Sequence, residues 1–142
     1  MTNPMEQERL PGLILRSQGG FYQVRTPAGD LTCRGRGLFR KTDTVLVVGD
    51  RVEVEPTEEG EGSIVTLLPR KNSLVRPPVA NIDRLALVVS AAEPAPNALI
   101  IDKLTAIAAS RNIDVALIFT KIDLADVRDL AEVYRRAGFP VY

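Results

Sequence analysis

The stretch that decides the fold is Asp114-Val-Ala-Leu-Ile-Phe119, which runs directly into Thr120-Lys-Ile-Asp123. An apolar segment of strand length is followed at once by a polar tetrapeptide that carries one cation and one carboxylate. In an open α/β sheet, ligands bind at the carboxyl ends of the strands, where the connecting loops converge. The sequence therefore predicts a sheet strand over residues 114–119 and a ligand-binding loop over residues 120–123.

The side chains of this loop suit a guanine base. An ionised Asp123 only accepts hydrogen bonds, and guanine presents its N1–H and its 2-amino group side by side. Adenine has an acceptor at N1 and no 2-amino group, so it would leave the carboxylate facing a lone pair. We expect Lys121 to lay its methylene stem along the base and Thr120 to hold the loop to its neighbours. The alternative is that Asp123 only caps the helix that follows.

The segments around this strand predict a β-α-β-α-β unit. Residues 85–89 form a continuous apolar run, as expected for a strand buried on both faces. Asn97 is a suitable N-cap for a first helix, and Gly138 is a suitable stop for a second helix that begins near Asp126. The predicted apolar faces are Ile100, Leu104, Ile107 and Ala108 in the first helix, and Leu130, Val133, Tyr134 and Ala137 in the second. Residues 139–142 begin a third strand. So few strands leave apolar surface uncovered, and we therefore expect the sequence to be truncated relative to a longer parent.

The first half of the chain predicts a different architecture. Strand-like segments occur at residues 13–16, 21–25, 31–34, 51–55 and 63–68, with glycine-containing turns between several of them. Short strands without a good helix indicate a small antiparallel barrel of OB type. The prolines between residues 69 and 78 are typical of an extended connection between domains. We therefore predict an OB-fold barrel over residues 1–72, a linker over 73–82 and a partial α/β domain with a parallel sheet over 83–142.

The composition excludes several classes of protein. Basic and acidic residues number 18 each, and they balance in both halves, with 11 and 10 in residues 1–79 and 7 and 8 in residues 80–142. Any nucleic-acid surface must therefore be local. The single cysteine, Cys33, rules out an internal disulfide, and without histidine the chain has no zinc ligand set. The amino terminus lacks an apolar signal region, and no run reaches the roughly 18 apolar residues of a membrane span. We expect a cytoplasmic protein.

A local basic surface is predicted at residues 34–41, Arg-Gly-Arg-Gly-Leu-Phe-Arg-Lys. Its cations can hold phosphates, and Phe39 can stack on a base. Arg16 and Tyr22 can extend this surface, or, as strand residues, they can equally belong to the core and its rim. The alternative is a solvated loop whose Leu38 and Phe39 pack into the barrel.

Six stretches, in order along nearly the whole chain, together resemble one family. They are Gly19-Gly-Phe-Tyr-x-Val24, Cys33-Arg-Gly-Arg-Gly-Leu-Phe-Arg-Lys41, Val48-Gly-Asp-Arg-Val52, Pro69-Arg-Lys-Asn-x-Leu-Val-Arg-Pro-Pro78, Ala80-Asn-Ile-Asp83 and Thr120-Lys-Ile-Asp-Leu124. The set resembles the amino-terminal part of the ribosome small-subunit-dependent GTPases (RsgA, also called YjeQ or YloQ), which are circularly permuted GTPases.

The resemblance implies a barrel that contacts ribosomal RNA of the small subunit, followed by a permuted GTPase domain. It also implies hydrolysis of GTP to GDP and phosphate, stimulated by the small subunit during its late maturation. The guanine-binding motif corresponds to Thr120, Lys121, Ile122 and Asp123, with Thr120 where the family usually has Asn. The RNA-binding residues correspond to Arg34, Arg36, Phe39, Arg40 and Lys41.

The sequence contains no Gly-x-x-x-x-Gly-Lys-Ser/Thr phosphate loop. The resemblance implies that this loop, the switch segments with their Mg²⁺ ligand and a zinc-binding domain follow Tyr142. We therefore expect no catalytic or metal-binding residues in this chain, and neither hydrolysis nor tight binding of GTP by the chain alone. We expect a monomer whose partners are the small subunit and GTP or GDP, with no membrane. The alternative is a non-enzymatic OB-fold module that binds rRNA, with an α/β segment that docks a partner.

Overall fold

The computed structural model describes residues 8–142. The internal contacts of the chain separate two compact units, and the first ends at Asn81 while the second begins at Ile82. The domain limits at 72/73 and 82/83 stay a prediction, and residues 1–7 of the predicted barrel lie outside the described part of the chain.

The first unit is built on a closed five-stranded barrel with the strand order β1-β2-β3-β5-β4. The strands are β1 (Leu10–Gln18), β2 (Phe21–Thr26), β3 (Gly29–Gly35), β4 (Arg51–Pro56) and β5 (Glu61–Leu67), and a short helix α1 (Gly37–Lys41) follows β3. β1 closes the barrel by pairing antiparallel with β4, and β3 runs parallel to β5. The predicted OB-type barrel is confirmed. Residues 37–41, expected as loop, instead form one helical turn.

The barrel core is filled by inward-facing residues of the strands and by Leu46 from the segment between α1 and β4. They are Ile14, Val24, Cys33, Leu46, Val52, Val54 and Ile64, and all are buried. Burial of a side chain of this size contributes roughly 1.5–3 kcal/mol. It also raises the pKa of the Cys33 thiol to about 11, because the thiolate loses its hydration. Cys33 is therefore a packed core residue that stays protonated at neutral pH.

The segment expected as a plain extended connection is folded against the barrel. Strands β6 (Ser73–Leu74) and β7 (Val79–Ala80) form an antiparallel ladder. Arg70 donates from Nε to Asp50 Oδ1 over 2.7 Å and from Nη2 to Asp50 Oδ2 over 2.8 Å. Gly49, at φ +89°, lies so close that an added Cβ would sit 2.0 Å from the Ala80 carbonyl oxygen. Proline content predicted an extended backbone, but these contacts, which pair residues distant in sequence, decide the structure.

The second unit contains β8 (Arg84–Ser90), α2 (Ala98–Ser110), β9 (Asp114–Thr120) and α3 (Arg128–Arg136). β8 and β9 pair in parallel, and Val141 adds a parallel bridge to Leu117 on the other edge of β9. The predicted β-α-β-α-β order is confirmed. Asn97 is the N-cap of α2, since its side chain accepts hydrogen bonds from Leu99 N and Ile100 N. Gly138 follows α3 with φ +95°, as expected for a helix stop.

The predicted burial of these elements is wrong in part. β8 was expected to be buried on both faces, but Val88 is 61% exposed, and Arg84 and Ala86, which alternate with it on the same face, are exposed as well. One face of β8 is therefore open among the described residues. In α2 the buried residues are Ile101, Thr105 and Ala108, whereas Ile100 and Ile107 are exposed. The buried face of α2 is therefore shifted by one residue towards the carboxyl end relative to the predicted face. The buried residues of α3 are Ala131 and Tyr134, while Val133 and Ala137 are exposed.

Candidate functional site

The loop after β9 is held in place by the loop after β8. The Thr120 carbonyl oxygen accepts from Ala91 N over 2.9 Å, and Lys121 Nζ donates to the Glu93 carbonyl oxygen over 2.6 Å. Within the loop, Leu124 N donates to the Lys121 carbonyl oxygen over 3.0 Å, which closes a tight turn. Lys121 has φ +56°, a conformation that few non-glycine residues adopt without such support. The loop is therefore positioned before any ligand arrives.

This turn exposes the carboxyl group of Asp123 beside a cavity of about 650 Å³. The volume lies in the range of small-molecule sites, about 300–1,000 Å³. Apolar groups of Phe119, Ile122 and Leu124 contribute to its lining. A carboxylate beside an apolar lining suits a flat, aromatic ligand. The carboxylate can accept hydrogen bonds from the edge of the ligand, and the apolar side chains can shield the faces of the ligand from water.

A second carboxylate in the same lining, Asp126, is already occupied. Arg128 donates to it from Nη2 over 2.6 Å and from Nε over 3.0 Å, and the Arg128 backbone N–H donates over 3.0 Å. These hydrogen bonds lower the pKa of Asp126 to about 2, with the Arg128 side chain as the main cause. Asp126 therefore accepts from the first N–H of α3, and neither acid serves as a side-chain N-cap of that helix. Of the two acids, Asp123 is the one open to a ligand.

The four residues predicted for the loop occupy one turn, with different surroundings. Ile122 and Asp123 line the cavity. The backbone carbonyl of Thr120 accepts from the loop after β8, and the ammonium group of Lys121 contacts the Glu93 carbonyl. The contribution of the loop after β8 was not expected. The only sequence signal for it is the Pro94 and Pro96 pair, which does not indicate what the loop contacts.

The residues predicted for the basic surface fall into two groups. Arg34, Arg40 and Lys41 are exposed. Arg36 instead forms an ion pair with the buried Glu55. Phe39 is half-buried and packs against the barrel core. Leu38 remains 60% exposed. Of the two apolar side chains that the alternative interpretation placed inside the barrel, only Phe39 therefore packs there.

The structure also shows an aromatic side chain that the sequence reasoning passed over. Phe21 is 43% exposed at the start of β2, and the Arg34 guanidinium lies over its ring, 4.4 Å from the centroid. The register explains the contact, because Phe21 and Arg34 are directly paired across β2 and β3. Phe21 stands in the quoted stretch 19–24, and its position next to two glycines was the available signal.

Among residues 8–142, the acidic and cysteine side chains form no group that could hold a metal ion. No helix in this part of the chain combines the length and apolar character needed to cross a membrane.

Comparisons with known proteins match both halves of the chain. Residues 11–64 match the family model of the RsgA N-terminal domain, and residues 67–142 match that of the RsgA GTPase. A Small ribosomal subunit biogenesis GTPase RsgA from Caldanaerobacter subterraneus subsp. tengcongensis is 42% identical over 135 residues, which are 93% of this chain and 46% of that protein. The protein of the same name from Moorella thermoacetica is 38% identical over 132 residues, 92% of this chain and 46% of that one.

Solved structures agree with these matches. The crystal structure of YloQ, a circularly permuted GTPase, has a TM-score of 0.77 at 30% identity and covers 100% of this chain and 53% of its own. That of YjeQ from Thermotoga maritima has a TM-score of 0.76 at 34% identity and covers 94% of this chain and 51% of its own. The chain spans about half the length of the curated relatives it matches. It belongs to the RsgA family, with one part matching the N-terminal domain and the other matching the GTPase.

Proposed function

We propose that this chain supplies the guanine-selecting loop and the RNA-contacting barrel of a GTPase that acts in the biogenesis of the small ribosomal subunit. The observation that carries the proposal is the exposed Asp123 carboxylate, held at the carboxyl end of β9 in a chain that belongs to the RsgA family. In a protein that joins this chain to a phosphate loop, the reaction is hydrolysis of GTP to GDP and phosphate.

Selection of the base follows from what Asp123 can accept. Both carboxylate oxygens take hydrogen bonds from guanine, one from N1–H and one from the 2-amino group. The apolar side chain of Ile122 covers part of the adjoining cavity. Adenine in the same position would set its N1 lone pair against the carboxylate, which costs about 1–3 kcal/mol for the unsatisfied group. The loop therefore discriminates through its acceptor pattern more than through its shape.

The chain alone is proposed to be inactive. Phosphoryl transfer depends on groups that position and neutralise the phosphates, and the sequence has no phosphate loop. Contact with the base alone is worth a few kcal/mol, which corresponds to a dissociation constant of about 1 mM. The residues described here fit neither Mg²⁺ nor Zn²⁺, and we assign both metals to other segments of the longer relatives.

For the barrel we propose contact with ribosomal RNA of the small subunit. Arg34, Arg40 and Lys41 carry exposed positive charge at and after the end of β3. Such charges bind phosphates and release counterions, so this contact should weaken as salt rises. Arg36 and Phe39 take structural roles in this scheme, since one neutralises Glu55 and the other packs on the core. The protein would act as a cytoplasmic monomer.

The test uses a protein that carries this chain together with a phosphate loop. Its GTP hydrolysis is measured with and without purified small ribosomal subunits, and we expect stimulation by the subunits. The Asp123→Asn variant should lose its preference for GTP and should hydrolyse xanthosine triphosphate better than wild type does, because an amide can donate to the 2-keto group of xanthine. Asp126→Asn is the matched control and should keep the preference. Hydrolysis indifferent to small subunits would refute the proposal.

A second function, a non-enzymatic rRNA-binding module, is favoured by one observation, the lack of a phosphate loop in the sequence. The two functions differ in the coding sequence after Tyr142. Continuation into Gly-x-x-x-x-Gly-Lys-Ser/Thr supports the GTPase, and a stop codon there supports the module.

A further inference from the structure

The outer face of β1, β2 and β3 combines groups that recur in nucleic-acid recognition. A shallow depression of about 510 Å³ on this face is lined by Arg16, Gln18, Phe21, Tyr22, Gln23 and Thr32. The lining contains a cation, two amides, two hydroxyls and two aromatic rings, and it contains no carboxylate. Of the two rings, that of Tyr22 also packs against the barrel core, whereas that of Phe21 is exposed. The register sets Gln18 opposite Phe21 and Arg16 opposite Gln23. An anionic ligand therefore meets no like charge among these side chains.

At one side of this depression, Phe21 and Arg34 form a stacked pair. The guanidinium carbon of Arg34 lies 4.4 Å from the centre of the Phe21 ring, and both side chains are exposed. The ring limits the orientations that the guanidinium can adopt, so less conformational entropy is lost when a ligand stacks on it. Leaving a large aromatic ring 43% exposed forgoes part of the free energy of its burial. Core packing does not account for that exposure.

The rest of the same sheet face differs in charge. Near the β2–β3 turn, Arg25 forms an ion pair with Asp30, with 3.5 Å between Nε and Oδ1. Arg34, in contrast, faces an aromatic ring and retains its net charge. At the Phe21 end of the face, the exposed Phe21 ring thus lies beside the Arg34 guanidinium, which forms no ion pair with the described acidic residues. Flat guanidinium and aromatic surfaces stack on bases that are not already stacked in a helix.

We propose that the Phe21–Arg34 pair is a stacking platform for an unpaired RNA base, with Arg16 holding the adjoining phosphate. This inference rests on the proposed contact between the barrel and ribosomal RNA, and it names the kind of RNA that is recognised. Duplex RNA has its bases stacked internally and offers this platform only its phosphates and 2′-hydroxyl groups.

The first test compares a fluorescein-labelled single-stranded RNA with a duplex of the same length, by fluorescence anisotropy on the 142-residue chain. Phe21→Ala should weaken single-strand binding by between about 5-fold and about 150-fold, the range for loss of one stacked base. Duplex binding should change little. Arg34→Lys keeps the positive charge but removes the planar guanidinium that can stack on a base. It should therefore also weaken single-strand binding selectively. Arg25→Gln, which breaks the ion pair outside the depression, is the matched control and should bind as wild type does.

Three results would overturn the platform. They are the absence of single-strand binding by the wild-type chain, unchanged binding by Phe21→Ala, and an equal loss on single strands and duplex. Because Phe21 is only partly buried and lies outside the core cluster, the variant should remain folded with a modestly lower melting temperature, which a thermal melt verifies.

A second test identifies the occupant. The variant Phe21→p-benzoylphenylalanine is irradiated on purified small ribosomal subunits, and cross-links to unpaired rRNA nucleotides are expected. Cross-links confined to ribosomal proteins would refute the platform while leaving the proposed function intact. Failure of the wild-type chain to bind small subunits, together with unstimulated GTP hydrolysis by the longer protein, would instead refute the proposed function.

Discussion

At the scale of single residues, two aspartates show how surroundings assign a role. Asp50 is fully buried and accepts hydrogen bonds from Arg70 and from Val47 N. Both oxygens of its carboxylate therefore have hydrogen-bond donors within the barrel unit. Asp123 is exposed on a supported turn beside a cavity. The first residue stabilises the fold, and the second is available to a ligand.

The ion pair of Asp50 leads to a stability prediction. Arg70→Met should lower the free energy of unfolding of the barrel by about 3 kcal/mol, because it leaves a buried carboxylate without its cation. Chemical denaturation followed through the methyl signal of Ile14 measures this loss. Arg51→Met removes an exposed cation nearby and should be close to neutral. A loss below about 1 kcal/mol for Arg70→Met would mean that water replaces the guanidinium.

The sequence predicted the position of Asp123 because a polar turn that follows an apolar strand must lie at a sheet edge. It could not decide between Asp123 and Asp126 as the cap of α3, since both precede the helix and both can accept from its first N–H groups. The same limit applies to the aromatic residues. Phe21 directly follows Gly20 and Phe39 stands two residues after Gly37, and only the barrel closure determines that Phe39 packs inward while Phe21 faces outward.

At the scale of elements, α2 and α3 are joined by a polar contact between side chains. The Tyr134 hydroxyl on α3 donates to Asp102 Oδ1 on α2 over 2.8 Å. Burial, and then the hydrogen bond and charge of Asp102, raise the pKa of Tyr134 to about 12. The phenolate form is therefore disfavoured in the folded state.

Because of this contact, the stability of the second unit should depend on pH in the alkaline range. The folded-state pKa of Tyr134 exceeds its usual value of about 10. Its contribution is therefore fully present below about pH 10 and is lost as pH rises through about 12, at on the order of 1 kcal/mol per pH unit. The measurement is the difference in unfolding free energy between wild type and Tyr134→Phe from pH 8 to 12, followed by the Ala131 methyl signal. A difference that stays constant with pH would contradict the assignment.

Element order was predictable, whereas the buried faces were not. Asn97 and Gly138 mark helix ends by local chemistry, so these ends could be predicted from the sequence. In α2, apolar residues surround most of the helix, and the periodicity allowed two faces that differ by one residue. Packing in the folded chain selects Ile101, Thr105 and Ala108. Similarly, prolines predicted an extended connector, but the buried Asp50 is a long-range partner that no local pattern reveals.

At the scale of the whole molecule, the chain contains a barrel unit and an α/β unit, and it matches the RsgA family over both. The proposed selection of guanine depends on Asp123, since we assign base selection to no other side chain among residues 8–142.

The most direct measurement is an NMR titration of the 142-residue chain with guanosine and, separately, adenosine. Guanosine should shift the backbone amide signals of Asp123 and Leu124 with a dissociation constant of about 1 mM, and adenosine should leave them in place. Asp123→Asn should abolish the response to guanosine, while Asp126→Asn should retain it. Equal responses to the two nucleosides, or a guanosine response that survives Asp123→Asn, would contradict the account.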